Sequence, residues 1–274
     1  MKQLQGKRAL ITGASRGIGI HIARALAKEG VALVLTARNE NQLNEVAESL
    51  QSFQVPVEVY PSDMAKPESL KQLLEKATSQ GRPVDLLINN AGIYHYGIFD
   101  QTDFKNIEEM IQVNLTGLMY LTHQTLPGMK TRGLGHIVHI SSLAGLSGSA
   151  YAETYCATKH AVVGFTRAMR ASLKQDKSPV SASVVCPGIV DETGIFKKLE
   201  VEEDVQAPAL MGKSDPRTVA RTVIRCIQRD IPEVIVNPTA IRPGLAFGAL
   251  FPGLMEKLSI KLGLHGFLNP TQKD

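Results

Sequence analysis

The chain has 274 residues, of which 43% are hydrophobic and 20% charged, enough to bury the core of one large α/β domain. Its net charge of +4 is mild, and no basic block interleaved with aromatic residues appears, so nucleic-acid binding is not expected. No uncharged run reaches the roughly 18 residues that span a bilayer, and three scattered cysteines are typical of a reducing compartment. We expect a cytoplasmic protein without an export signal, because the first predicted strand begins near Arg8.

A glycine-rich turn follows this first strand, Arg8–Thr12. Gly13, Gly17 and Gly19 stand in the pattern Gly-x-x-x-Gly-x-Gly, and a helical apolar pattern begins at Ile18. Glycines let a backbone approach a pyrophosphate, and the N-terminus of a helix offers it free N–H groups and a positive dipole end. The stretch predicts a dinucleotide site that includes Gly13, Ser15, Arg16, Gly17, Ile18 and Gly19.

The end of the second predicted strand, Ala32–Thr36, indicates which dinucleotide binds. An acidic residue at this place typically binds the ribose hydroxyls of NAD, whereas an arginine accommodates the 2′-phosphate of NADP. Here the strand is followed by Ala37 and Arg38, and Arg16 belongs to the turn beside it. We therefore predict NADP(H) as the cofactor. The alternative is that Arg38 is an ordinary solvated loop residue.

Strands and amphipathic helices alternate along the rest of the chain. Short apolar runs near 57–60, 84–88, 137–140, 180–185 and 234–236 are separated by helical patterns, including one long helix that contains Asn114. This alternation predicts an α/β fold with a Rossmann-like, doubly wound parallel sheet of about seven strands and helices on both faces. We expect one domain over residues 1–238.

Tyr155 and Lys159 stand four residues apart on a predicted helix, so their side chains share one helical face. An ammonium beside a phenol favours the phenolate, and it is expected to lower the pKa of Tyr155 toward neutral pH. The pair is a candidate acid/base unit. A Tyr and a Lys at this spacing are more often a partly buried ring beside a solvated charge. The surrounding motifs therefore decide whether the pair is an acid/base unit.

Together these motifs resemble the short-chain dehydrogenase/reductase family in its single-domain branch, from about Lys7 to Asn237. The resemblance also rests on the run 89–92, Asn-Asn-Ala-Gly, on Ser142 thirteen residues before Tyr155, and on the pair Pro-Gly at 187–188. It implies a catalytic set of Asn114, Ser142, Tyr155 and Lys159. It implies cofactor contacts at Asp63, Met64, Asn90, Ala91, Gly92, Tyr155, Lys159, Pro187, Gly188, Ile189 and Thr193. Thr193 stands one place later than the threonine usual in this family, because Glu192 occupies that position.

The resemblance implies interconversion of a carbonyl and an alcohol with NADP(H), which supplies the hydride. Tyr155 would protonate the carbonyl oxygen, and Ser142 would orient it. Lys159 would lower the pKa of Tyr155 and bind the nicotinamide ribose, while Asn114 would hold a water that links Lys159 to solvent. The resemblance also implies a substrate-covering loop over 191–213, within this domain, and the apolar residues of that loop suggest a lipophilic ketone, aldehyde or alcohol. The alternative is a non-catalytic NADP(H)-binding regulatory or partner-binding protein on the same fold.

The histidines show no metal-ligand spacing. His136 and His139 are three apart on a predicted strand and therefore point to opposite faces, so no metal is expected. His95 follows the Asn-Asn-Ala-Gly run together with Tyr94 and Tyr96. It borders the substrate in one interpretation and belongs to a surface loop in the other.

Residues 239–274 extend beyond the last predicted strand. The stretch 243–255 carries no charge, and Pro252 would interrupt a helix within it. A helical apolar face follows, formed by Leu254, Met255, Leu258 and Leu262. This face either packs on the protein's own core or serves as a lid over a lipophilic pocket, an interface of a homodimer or homotetramer, or a peripheral membrane contact. We expect the lid combined with an interface.

Overall fold

The structure is a computed structural model that describes residues 1–191, 200–201, 212–263 and 268. Its central sheet contains β1 (Arg8–Thr12), β2 (Ala32–Thr36), β3 (Val57–Val59), β4 (Leu86–Asn89), β5 (His136–Ile140), β6 (Ser181–Pro187) and β7 (Glu233–Val236). The strand order is β3-β2-β1-β4-β5-β6-β7, and every neighbouring pair is parallel. The predicted Rossmann-like sheet is confirmed.

Nine helices of eight or more residues are present in the described part of the chain. They are α1 (Ile18–Lys28), α2 (Glu40–Ser49), α3 (Pro67–Ala77), α4 (Phe104–Ile111), α5 (Gly117–Arg132), α6 (Glu153–Gln175), α7 (Pro216–Arg229), α8 (Arg242–Leu250) and α9 (Pro252–Lys261). Over these ranges, none is both long and apolar enough to cross a membrane.

The helices cover both faces of the sheet, and each face has its own core. Ala9 and Ile11 of β1 pack with residues of α1, α2 and α7. Leu10, between them, packs on the other face with residues of α3, α5 and α6. Side chains alternate between the faces of a strand, so a strand covered on both sides reads as a continuous apolar run. This is why the inner strands were recognisable from the sequence.

The long helix predicted around Asn114 is wrong in one respect. It is divided into α4 and α5 by a π-helical turn, Gln112–Thr116. Asn114 lies in the middle of this turn, and its amide nitrogen donates to the Ile93 carbonyl at 3.0 Å and to the Thr158 hydroxyl at 3.2 Å. Because these partners belong to distant parts of the chain, the period of the local sequence did not reveal the turn.

The predicted substrate-covering loop, 191–213, is described at its two ends and at residues 200–201. Val190 pairs with Ser214, and the backbone N–H of Asp191 donates to the Ser214 carbonyl at 3.0 Å. Lys213 lies 3.6 Å from the Asp191 carboxylate and also pairs with Glu200. Thr193, the predicted nicotinamide contact, lies outside the described residues.

The C-terminal extension continues past β7 as two short helices. Pro252 interrupts the helical stretch as predicted, because α8 ends at Leu250 and α9 begins at Pro252. No residue of α8 is buried, and Ser259 is the buried residue of α9. Neither helix contributes to the two cores of the sheet.

Candidate active site

A cavity of about 2080 Å³ opens at the carboxyl edge of the sheet. Its volume exceeds the roughly 300–1,000 Å³ of a pocket for one drug-sized ligand, so a dinucleotide and a substrate fit together. The predicted residues that line it are Gly13, Ser15, Arg16, Gly17, Ile18, Arg38, Asp63, Met64, Asn90, Ala91, Gly92, Ser142, Tyr155, Lys159, Pro187, Gly188 and Ile189. Gly19 and Asn114 do not line the cavity, although both lie next to residues that do.

The glycine-rich turn has the geometry of a phosphate cradle. Gly13 has a φ of 65°, and a Cβ there would lie 2.8 Å from the Cα of Ala91. Gly17 has a φ of 63° and precedes α1, whose first turn has no side-chain cap. A Cβ on Gly19 would overlap the Gly13 carbonyl oxygen, so this glycine lets the helix pack against the turn. The open N–H groups of α1 are suited to a pyrophosphate.

Thr12 and Asn90 fasten the glycine turn to the end of β4. The Thr12 hydroxyl accepts from the backbone N–H groups of Asn90 and Ala91, each at 3.0 Å. The Asn90 side chain donates to the carbonyls of Thr12 at 2.9 Å and Gly13 at 3.1 Å. The chain reverses its direction across the sheet between β1 and β4, which is where doubly wound folds bind their ligands.

Two buried polar atoms at the cavity wall have no hydrogen-bond partner among the described residues. They are the hydroxyl of Thr36, at the end of β2, and the side-chain oxygen of Asn237, beside Gly188. Unpartnered buried acceptors are costly in a folded protein unless a ligand or water satisfies them. The two atoms and the open end of α1 together fit a bound nicotinamide dinucleotide. The sequence analysis had assigned no role to Thr36 or Asn237.

Arg38 lies at the cavity wall with an acidic neighbour that the sequence analysis had missed. Its Nη1 atom is 3.6 Å from Oε1 of Glu109 on α4. The other oxygen, Oε2, is 3.8 Å from Nε2 of His95, which also lines the cavity. Arg16 is exposed at the same wall and has no ion pair within the described ranges. Glu109 occupies an ordinary polar position of an amphipathic helix, so no sequence signal distinguished it.

Ser142, Tyr155 and Lys159 come together at the cavity wall from β5 and α6. The Ser142 hydroxyl faces Tyr155 and favours its phenolate, and it accepts from the backbone N–H of Ala144 at 3.2 Å. The buried ammonium of Lys159 lies 5.6 Å from the centre of the Tyr155 ring. It donates to the Ile140 carbonyl at 3.1 Å.

The expected lowering of the Tyr155 pKa is wrong. Burial raises the pKa of Tyr155 to about 12, and the Ser142 hydroxyl opposes this only in part. Burial also lowers the pKa of Lys159 to about 8, because desolvation disfavours the charged ammonium. The sequence showed the spacing of the pair but could not show that both groups are buried.

Asn114 is buried behind the cavity wall, where it holds the segment that follows the Asn-Asn-Ala-Gly run. Its side-chain oxygen accepts from the backbone N–H of Ile93 at 2.8 Å, and its amide nitrogen donates to the Ile93 carbonyl and Thr158. Both ends of the side chain are therefore engaged by the protein, and its position fixes the wall next to Lys159.

An aromatic wall stands over Tyr155. The Tyr94 ring meets the Tyr155 ring edge-on at 4.8 Å and stacks with Tyr96 at 5.9 Å. Burial raises the pKa of Tyr94, so its phenol is neutral at physiological pH. Leu268 of the C-terminal extension is buried in the same cluster. No pattern in the sequence had indicated Leu268, because it lies outside the amphipathic stripe of the extension.

The histidines of β5 have structural partners. His136 bonds with Ser183 at 2.8 Å, whereas His139 bonds with Thr166 at 2.8 Å and Thr122 at 3.2 Å. Within residues 1–191, 200–201, 212–263 and 268, no group of three or more His, Cys, Asp or Glu side chains could hold a metal ion.

Comparison with known proteins identifies the family. Residues 7–204 match the model of the short chain dehydrogenases. The ketoacyl reductase HetN of Nostoc sp. is 38% identical over 272 residues, which cover 97% of this chain and 93% of HetN. A short-chain dehydrogenase/reductase from Burkholderia phymatum, solved with NAD, has a TM-score of 0.83 at 26% identity and matches over 93% of this chain and 96% of that one.

A short-chain dehydrogenase from Sphingobium yanoikuyae, solved with NADPH, has a TM-score of 0.78 at 27% identity and matches over 91% of this chain and 95% of that one. The range matched by the family model contains the cofactor turn and the Ser142, Tyr155 and Lys159 positions. The chain therefore belongs to the short-chain dehydrogenase/reductase family.

Proposed function

We propose that this protein, a carbonyl/alcohol oxidoreductase by family, uses NADP(H) and acts on a lipophilic substrate. The observation that carries the proposal is the convergence of Ser142, Tyr155 and Lys159 on one cavity with the cofactor turn. A protein that only bound a nucleotide would not need a phenol, a hydroxyl and a buried ammonium at the same wall.

The bound cofactor supplies or accepts the hydride. In the direction of reduction, the hydroxyls of Ser142 and Tyr155 bind the carbonyl oxygen and stabilise the negative charge that develops on it. Tyr155 then donates its proton to that oxygen. Lys159 is charged below about pH 8, and its buried ammonium favours the phenolate left on Tyr155. In the direction of oxidation, the same groups act in reverse.

The proposed preference for NADP(H) is supported by Arg38, which follows β2, by Arg16 of the glycine-rich turn, and by the lack of an acidic residue at the end of β2. Both arginines line the cavity and would bind the 2′-phosphate, and Ala37 brings no charge. The structural neighbour from Sphingobium yanoikuyae was solved with NADPH, whereas that from Burkholderia phymatum was solved with NAD. The residues that follow β2, rather than the fold, therefore support NADP(H) over NAD.

The substrate is lipophilic because the walls on the side of Tyr155 are largely apolar. They include Tyr94, Tyr96, Leu245, Met255 and Leu268. HetN is a ketoacyl reductase by name, so a ketoacyl thioester is the first candidate. Its acyl chain would lie against the inner residues of the C-terminal extension.

A turnover screen tests the proposal. Purified protein would be assayed with short- and long-chain ketoacyl thioesters, aromatic ketones and aldehydes, each with NADPH and NADH at equal concentration. We expect a higher kcat/KM with NADPH than with NADH. We also expect a higher kcat/KM for the long-chain than for the short-chain ketoacyl thioester. A higher kcat/KM with NADH would contradict the proposed preference for NADP(H). Tight NADPH binding without turnover of any compound would favour the regulatory alternative.

A further inference from the structure

The C-terminal helices α8 and α9 have two different faces. Residues such as Leu245, Gly248, Met255 and Ser259 line the cavity. The opposite side, here named the outer face, carries five large apolar residues that do not line the cavity and are between 38% and 73% exposed: Phe247, Leu250, Phe251, Leu254 and Leu258. Side chains of this size are normally buried, so their arrangement on one side requires a physical reason.

No described part of the chain buries the outer face. The two helices pack on each other, and the Phe247 and Phe251 rings lie 5.2 Å apart at their junction. Soluble monomers rarely expose a contiguous apolar surface of this kind, and such a surface usually marks a site that meets a membrane or another protein.

The charges of α9 distinguish between these partners. Lys257 and Lys261 are one helical turn apart and flank Leu254 and Leu258 on the outer face. Both lysines are exposed and have no ion pair among the described residues. Glu256, the acidic residue of α9, lines the cavity on the other side of the helix. The outer face is therefore apolar and positively charged.

A second copy of the chain fits this face poorly. A twofold interface places the same surface opposite itself, so the lysines of both copies would be brought together without an acidic partner. An anionic bilayer offers phosphates to the lysines and an apolar layer to the leucines and phenylalanines. We propose that the outer face docks on the surface of an anionic lipid bilayer, with the cavity wall held next to the lipid.

Vesicle flotation with the full-length protein tests this docking. We expect wild-type protein to float with vesicles of phosphatidylcholine and phosphatidylglycerol, and to float less as salt is raised, because exposed charges are screened. L254S/L258S is expected to lower the bound fraction at least about tenfold. K257Q/K261Q is expected to reduce binding and its dependence on salt. F104S is the control, since Phe104 on α4 is a large apolar residue that is 67% exposed, more than either leucine, and lies outside the outer face.

Two results would overturn docking on lipid. One is wild-type protein that does not float with the anionic vesicles. The other is light scattering that shows a wild-type oligomer separated into smaller species by L254S/L258S, which would identify the outer face as a contact between copies. The thermal midpoint and NADPH binding of each variant establish that a loss of flotation does not come from unfolding.

Glu109 carries a second, independent inference. This acidic residue lies at the part of the cavity wall where Arg16 and Arg38 would bind the 2′-phosphate. Its Oε1 atom is 3.6 Å from Nη1 of Arg38. Its other oxygen faces His95, so a carboxylate is held at this place from both sides. A bound 2′-phosphate would share Arg38 with this carboxylate and would be repelled by it.

We infer that Glu109 limits the preference for NADPH by weakening the binding of the 2′-phosphate. This inference rests on the proposed use of NADP(H). NADH lacks the phosphate, so the carboxylate affects NADH much less. The residue thus limits how strongly the protein prefers NADPH, and it is a specificity-determining residue rather than a catalytic one.

Cofactor titration of E109Q tests the inference. We expect NADPH to bind about three- to tenfold more tightly and NADH to change less than about twofold. E108Q is the matched control, because Glu108 is the exposed neighbour on the same helix, and both its dissociation constants should equal those of the wild type. Unchanged binding, or an equal change for both cofactors, would overturn the inference. A wild-type preference for NADH would contradict the proposed cofactor, while the change in the ratio for E109Q would still report on Glu109.

Discussion

Tyr155 and Lys159 are the two residues whose burial determines the chemistry of the cavity. Burial raises the pKa of Tyr155 to about 12, so the phenol holds its proton and can donate it. The pKa of Lys159 is lowered to about 8, so the ammonium is charged at neutral pH but becomes neutral in mild base. This combination supports carbonyl reduction at neutral pH.

Removal of the Tyr155 hydroxyl tests its role as proton donor. Tyr155→Phe is expected to lower kcat/KM about 100- to 10,000-fold, because the developing oxyanion is no longer protonated, while the dissociation constant of NADPH stays within about threefold. Tyr120→Phe, outside the cavity, is the control and should keep the wild-type rate. Wild-type turnover by Tyr155→Phe would show that another group donates the proton.

Arg38 is the residue for which the sequence and the structure together give the sharpest expectation. A charge-assisted hydrogen bond to a phosphate contributes roughly 1.5–3 kcal/mol, so Arg38→Ala should weaken NADPH binding about ten- to a hundredfold and change NADH little. Arg24→Ala removes an exposed charge from α1 outside the cavity and should change neither. An equal loss for both cofactors would mean that Arg38 supports the shape of the site instead.

The placement of residues at the cavity was predictable from the sequence where a motif fixes both residue type and spacing, as for Gly13, Ser142 and Tyr155. The contacts of Glu109, Asn237 and Leu268 were not, because each is brought to the cavity by packing between segments far apart in the chain. The direction of the Tyr155 pKa shift was missed for the same reason. Desolvation depends on how many neighbours surround the ring, and spacing along one helix does not report this.

Two elements outside the sheet form walls of the cavity. The π-helical turn around Asn114 carries the side chain that holds Ile93, so a local irregularity positions one wall of the cavity. Such turns are frequent at functional sites. The C-terminal helices form another wall, and their inner residues face the cavity rather than a core.

We propose that the C-terminal extension acts as a lid, and truncation after Pro238 tests it. Because α8 and α9 bury only Ser259, their removal should leave a folded protein that still binds NADPH. We expect kcat/KM to fall at least about tenfold for long apolar substrates, which lose the contacts of the inner face, and much less for short ones. Leu268→Ser is a narrower variant that keeps both helices and should show the same trend.

Unchanged kinetics in the truncated protein would show that the extension is not a lid. An unfolded truncated protein would instead assign the extension to the core, in agreement with the simplest interpretation of its amphipathic pattern. A truncated protein with altered mass in solution would assign it to a subunit interface. Circular dichroism, light scattering and NADPH titration on the same preparation separate these outcomes.

The whole fold was predictable because two periodicities in the sequence agree with each other. Apolar strands at regular intervals, each followed by an amphipathic helix, allow few arrangements other than a parallel sheet covered on both faces. The arrangement of the C-terminal extension was not predictable, because an apolar helix face is equally compatible with a core, a lid, an interface and a membrane. Which of these four surfaces the helix face meets depends on its contacts with the rest of the molecule.

The two buried histidines of β5 predict how the stability of the whole molecule depends on pH. Burial lowers the pKa of both His136 and His139 from 6.5 to about 3. Between these values the unfolded chain binds protons that the folded chain excludes, so the free energy of unfolding falls as pH is lowered below 6.5. Above that pH the histidines are neutral in both states and have no effect. Each contributes a slope of up to about 1.4 kcal/mol per pH unit.

Urea unfolding between about pH 6 and pH 5, where few carboxylates titrate, measures this slope. His139→Gln removes one of the two excluded protons, and it is expected to lower the slope by about half even if the variant is less stable at every pH. His123→Gln removes an exposed histidine and should keep the wild-type slope. Equal slopes for His139→Gln and the wild type would show that His139 takes up its proton in the folded protein, and that its bonds to Thr122 and Thr166 tolerate the charge.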